Sequence, residues 1–284
     1  MYEPEYINLI DYILNNFRIP YNISKMIKSS NIPEIINYYF KVNEQDQFYL
    51  LKYLAAVNNF NLFEVLVKKF DQIDLASENN ILLCIATTNG SYDVAKYLVN
   101  NGVDVKSSNN FAIKAAVSSL NLDLIKLLVD NGADICIQEN YPLRYAIYLC
   151  HYDVVKFLIE KGADVNASNG YPLKCATYKA NEPIINLLLK SGARVDLLDK
   201  KDLIPAIRLG KHNIVQMLTD NGVDYSIIND YVCPENNIKQ MFNLLVQNKV
   251  DLLQLALIIY DRSDEIYPGW SRALWIKKNE CLED

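Results

Sequence analysis

The stretch Leu124-Ile125-Lys126-Leu127-Leu128-Val129-Asp130-Asn131-Gly132-Ala133-Asp134 decides how this chain folds. An apolar, helix-like run leads into a glycine, and a small residue and an aspartate follow. The same phrase returns in phase along the chain. Gly102, Gly132, Gly162, Gly192 and Gly222 stand 30 residues apart. Each is preceded by a run of the same kind: Val94–Val99, Leu124–Val129, Val154–Ile159, Ile184–Leu189 and Ile214–Leu218. Self-similarity at a fixed period of roughly 20–50 residues is the mark of stacked supersecondary units, none of which can bury its apolar face alone.

Each unit reads as two helices. The first starts after a turn, as in Tyr141-Pro142-Leu143-Arg144-Tyr145-Ala146. Proline suits a first helical turn, where its missing N–H would be an orphan anyway. Ala86, Ala116, Ala146, Ala176 and Ala206 recur at one position and let neighbouring helices approach closely. A break follows at Gly90, Leu120, Cys150, Ala180 and Gly210. The second helix then opens with Asp93, Asp123, Asp153 or Glu182 near its positive end. It closes at the periodic glycine, which supplies a left-handed C-cap.

These phrases resemble the ankyrin repeat. Tyr171-Pro172-Leu173-Lys174-Cys175-Ala176 follows the family's T-P-L-H-x-A pattern with Thr and His replaced, and residues 125–134 follow its second helix and exit. The resemblance covers residues 78–227 as five units, with a sixth, degenerate unit from Leu51 to Asp74. The period is 30 rather than roughly 33, and the missing residues fall in the hairpin, so the loops are expected to be short. The family's histidine is replaced by Lys114, Arg144 and Lys174, with Cys84 and Ile204 at the same place in the flanking units. The shortened hairpin is similar to repeats encoded by giant DNA viruses of the mimivirus type. The skew toward Asn, Ile, Tyr and Lys, including 20 tyrosines, points to an AT-rich genome and agrees with that likeness.

The fold class implied is an all-α ankyrin-repeat solenoid of helix-turn-helix units with short hairpin turns and helical caps at both ends. Residues 1–47 are expected to form an N-terminal cap or decayed repeat, with helices over Tyr6–Phe17 and Ile23–Phe40. Residues 48–227 carry about six repeats. Residues 228–284 form a degenerate repeat and a helical cap, with helices over Ile238–Gln247, Leu252–Tyr260 and Ser271–Lys278.

Composition narrows the function. A net charge of −6 and a pI near 5.1 offer no basic face for nucleic acid. No run of 18 apolar residues could span a membrane. The six cysteines contain no C-x-x-C pair and there are two histidines, so zinc spacing is absent. The N-terminus does not read as a signal peptide, and an intracellular protein with reduced cysteines is expected, in the cytoplasm of a host if the protein is viral. No G-x-S-x-G, H-E-x-x-H or G-x-x-x-x-G-K motif occurs. His151 and His212 fall at helix junctions, where structural work is the expectation. No enzyme activity and no cofactor or metal are expected, and a capped solenoid is expected to be a monomer.

The expected partner is another protein, held on the concave face that the resemblance assigns to first helices and hairpins. The hairpin side offers Asn79, Asn80, Asn109, Asn110, Glu139, Asn140, Asn169, Asp199 and Lys200, and the helix side offers Thr88, Asn89, Ser118, Ser119, Tyr148, Leu149, Tyr178, Lys179, Arg208 and Leu209, the last six forming the richest stretch. These positions vary from unit to unit while the packing positions repeat. Tyrosine and arginine are also the residue types most often found as interface hot spots. Lys114, Arg144 and Lys174 form a basic ladder that either reads an acidic partner or satisfies neighbouring carbonyls and turn carboxylates, the second being expected. An alternative function is a ubiquitin-ligase adaptor that recruits through the C-terminal helices.

Overall fold

The computed structural model describes residues 32–42, 44–69, 73–199 and, within 202–223, all but 204, 207, 208 and 210. Among these residues the fold is all-helical, as expected: twelve α-helices, one 3-10 helix and no strand. They are α1 (Ile32–Lys41), α2 (Glu44–Ala56), α3 (Phe60–Lys69), α4 (Ser77–Thr88), α5 (Tyr92–Asn100), α6 (Ser107–Ser118), α7 (Leu122–Asp130), α8 (Ile137–Tyr148), α9 (Tyr152–Glu160), α10 (Ala167–Tyr178), α11 (Glu182–Lys190) and α12 (His212–Asp220), with the 3-10 helix at Val195–Leu197. The helices expected at Tyr6–Phe17 and beyond Ile238 lie outside the described residues. The helix expected over Ile23–Phe40 is described from Ile32 onward.

The chain divides into two compact units, Met1–Tyr145 and Ala146–Asp284. In the first, α4 packs against α2, α5 and α6, while α7 packs on α5 and α6. In the second, α11 packs against α9, α10 and α12. The recurrent alanines Ala86, Ala116, Ala146, Ala176 and Ala206 are all fully buried. Second helices bury one stripe each: Val94, Ala95 and Leu98 on α5, Leu124, Ile125 and Leu128 on α7, and Ile184, Ile185 and Leu188 on α11. Residues at i, i+1 and i+4 share a helical face. Each large aliphatic side chain buried this way contributes roughly 1.5–3 kcal/mol.

Second helices end in a two-bond lock. Gly132 donates its N–H to the Val129 carbonyl at 3.0 Å, and Ala133 donates to Leu128 at 2.9 Å, with Gly132 at φ 92°. This satisfies two orphan carbonyls through a left-handed residue, which only glycine adopts without a Cβ penalty. Most first helices end at a left-handed residue other than glycine, and the two-bond lock recurs at Cys150 and Ala180. Leu120, Cys150 and Ala180 sit at φ 55°, 58° and 51°. Cys150 donates to Ile147 and His151 to Ala146, at 2.9 and 3.0 Å.

The short hairpin takes a form that composition and spacing did not foretell. Glu78-Asn79-Asn80, Ser108-Asn109-Asn110, Gln138-Glu139-Asn140 and Ser168-Asn169-Gly170 are each a full run of left-handed residues, with φ between 48° and 73°. The right-handed part of each first helix begins only after this run, which puts Pro142 and Pro172 in its first turn as the sequence predicts. Left-handed backbone costs roughly 1–2 kcal/mol per L residue, least for asparagine. The asparagine closing the run offsets part of that cost. The Asn80 carboxamide donates to the Asp104 carbonyl at 3.0 Å, and the Asn110 oxygen accepts from Asp134 N–H at 3.0 Å. The aspartates turn the chain inward: Asp74, Asp104, Asp134 and Asp164 each accept from the N–H two residues on, at 2.8–2.9 Å.

One junction departs from this rule. Arg194 stands where the other units carry aspartate, and the chain there forms the 3-10 helix. Leu197 then closes on Gly170, so that a Cβ at position 170 would meet Leu197 Cβ at 2.8 Å. Asn166 takes over the bridging role, accepting from Arg194 N–H at 2.8 Å and donating to the Gly192 carbonyl at 3.1 Å. The Arg194 guanidinium hydrogen-bonds Asp196 and holds its carboxyl below the ordinary carboxylate range.

Candidate functional site

The residues singled out from the sequence fall in both units, and the two sets behave differently. In the first unit the helix ends carry small polar residues, and each bonds back to its own helix. Thr88 and Asn89 donate to the carbonyls of Cys84 and Ile85, both at 2.8 Å. Ser118 and Ser119 donate to Lys114 and Ala116, at 3.1 and 2.9 Å.

On the hairpin side of that unit, Asn109 and Glu139 are exposed. Glu139 lies 3.9 Å from Arg144. Asn110 and Asn140 are less accessible than these. Asn110 is half-buried with its carboxamide engaged by Asp134, and Asn140 is only 7% exposed. Both close a left-handed run, and Asn110 faces the turn at Asp134 rather than solvent.

In the second unit the helix ends carry large side chains turned outward. Tyr148 is 37% exposed, Tyr178 65% and Leu209 57%, while Leu149 is half-buried. Lys179 reaches back one repeat, and its ammonium stands 3.9 Å from the centroid of the Tyr148 ring. Such a contact at an exposed site contributes roughly 0.5–1 kcal/mol. No carboxylate among the described residues pairs with Lys179. Tyr171 adds a further exposed ring on α10, which its Tyr-Pro-Leu phrase does not announce. Arg208 lies outside the described residues.

The basic ladder resolves into local structure. Arg144 donates to the Gln138 carbonyl at 3.3 Å, and Lys174 pairs with Asp199 at 3.5 Å. Lys114 is 3% exposed. His151 also proves structural: its Nδ1 accepts from Val154 N–H at 3.3 Å and caps α9. Asn121 and Asn181 hold the same place before α7 and α11 and bond the same way, at 3.1 and 3.2 Å. Burial pushes the Cys84 thiol up to about 11, so it is neutral core material. Among the described residues no helix is long and apolar enough to cross a membrane.

Comparison with known proteins places this geometry in a class. A family model described as ankyrin repeats (3 copies) matches residues 51–139 and 104–169. The crystal structure of the human ASB11 ankyrin repeat domain superposes with a TM-score of 0.57 at 21% identity, covering 68% of this chain and 96% of that one. The ankyrin repeat domain of Bcl-3, described as a unique member of the IkappaB protein family, gives 0.52 at 25% identity, covering 62% and 87%. No curated protein sequence matches. The fold is therefore that of ankyrin-repeat domains, and residues 51–169 match the ankyrin-repeat family model. Ankyrin repeats are protein–protein interaction scaffolds.

Proposed function

We propose that this protein is a non-enzymatic adaptor that binds another protein through the first-helix ends of its second unit. The observation that carries this is the cluster of Tyr148, Tyr178 and Leu209, large apolar side chains left exposed where the first unit has self-satisfied Thr, Asn and Ser. Exposed aromatic anchors beside an aliphatic residue and a cation have the composition of an interface hot spot. Asn109 and Glu139, exposed on hairpins of the first unit, are proposed as contacts of their own. The residue skew and the 30-residue period support a viral protein that works on a host partner in the host cytoplasm.

The test is affinity capture from host-cell lysate with three proteins: the intact chain, Tyr148→Ala/Tyr178→Ala, and a truncation before Ile238. A partner lost only with the double alanine variant is the expected result. A partner that survives that variant but disappears on truncation would move the function to the C-terminal segment, where an adaptor for ubiquitin ligase would have its recruiting helices.

A further inference from the structure

Resting on the binding role just proposed, the geometry points to the chemistry of the partner: an acidic segment that seats a carboxylate on Lys179 and lays a neighbouring apolar side chain against Tyr178 and Leu209. Lys179 has an unusual position among the cations of the second unit's first helices. Lys174, on the same helix, already has Asp199 at 3.5 Å. Among the described residues Lys179 has only the face of Tyr148, at 3.9 Å. A ring face attracts the ammonium but accepts no conventional hydrogen bond, and an ammonium carries three donors. The ring also fixes the side chain, so less rotamer freedom is lost when an anion arrives. Tyr178 is its chain neighbour and Leu209 holds the place equivalent to Lys179 one repeat on, and the two are 65% and 57% exposed.

The whole chain has a net charge of −6, which repels an acidic partner at long range. At physiological ionic strength the Debye length is about 8 Å, so a pair in direct contact escapes most of that repulsion. The two effects have opposite salt dependence. A contact-dominated complex weakens as salt rises, whereas a complex limited by overall repulsion strengthens.

A random peptide library displayed on phage, selected against the intact chain, tests this directly. The selected peptides are then synthesised and titrated against the wild type, Lys179→Gln, Lys179→Glu and Tyr148→Ala/Tyr178→Ala, each confirmed as folded by circular dichroism. The expected outcome is enrichment of Asp or Glu next to a Leu, Phe or Tyr. Affinity should fall about fivefold in Lys179→Gln, further in Lys179→Glu, and with added salt. Neutral or basic peptides that lose affinity with the tyrosine variant but not with Lys179→Gln would overturn the acidic partner and leave the binding face standing. Peptides indifferent to every one of these variants, or no selection at all, would overturn both.

Discussion

The first helices of this protein end in two ways. At Thr88, Asn89, Ser118 and Ser119 the side chains fold back onto carbonyls of their own helices, at 2.8–3.1 Å. At Tyr148, Tyr178 and Leu209, whole multiples of 30 residues on in the same register, they project into solvent. The packing residues one turn away do not change: Ala86, Ala116, Ala146 and Ala176 are all fully buried. A repeat framework separates the two tasks. The core positions answer to neighbouring helices and must stay small, while the terminal positions lie outside that core and can carry another task.

The largest effect that would break this comparison is on binding. Tyr148→Ala and Tyr178→Ala should each weaken a purified partner at least tenfold, as anchors at the centre of an interface do. The fourfold variant Thr88→Ala/Asn89→Ala/Ser118→Ala/Ser119→Ala should change Kd less than about twofold. Isothermal titration of both variants gives the ratio, and equal losses would erase the distinction between the two ends.

The turns give the next effect. Asparagine closes the left-handed run at 80, 110 and 140, yet Gly170→Asn should destabilise by about 1–3 kcal/mol, because its Cβ would press on Leu197. Urea unfolding measures it, and a neutral result would mean that the 3-10 segment shifts freely. A smaller gain is expected where first helices end without glycine. Cys150→Gly and Ala180→Gly should each stabilise by about 0.5–1 kcal/mol by relieving positive φ, seen as a raised Tm. Smallest is the acid limb. Asp196 has its carboxyl held down in the folded state by Arg194, so this exposed pair contributes above the unfolded carboxylate pKa and is lost as pH falls through the lower folded value. Asp196→Asn should leave stability at neutral pH nearly unchanged and slightly flatten the acid unfolding curve.

Much of the fold could be read from residue order. The periodic glycines, the buried alanines and the apolar runs each have one structural use, so their spacing determines helix, break and cap. The roles of Arg144, Lys174 and His151 were also accessible, because a repeat shows what its neighbours do at the same position. The left-handed runs were not foreseen. Their signal was present in the in-phase asparagines at 80, 110 and 140, but asparagine in a turn also fits several right-handed forms. The coupling of Arg194, Gly170 and Leu197 was beyond reach, since it depends on two chain segments meeting in space. The site was legible as a list of variable positions. Which of them spend their polar groups on the fold, as Asn110 does, depends on side-chain geometry.

Hydrogen–deuterium exchange on the complex with a captured partner tests the central claim most directly. Protection that appears on binding across residues 146–149 and 176–180, with residues 86–90 and 116–120 exchanging as in the free protein, is the predicted result. Protection confined to residues beyond 223, or stronger at the first unit's helix ends, would contradict it.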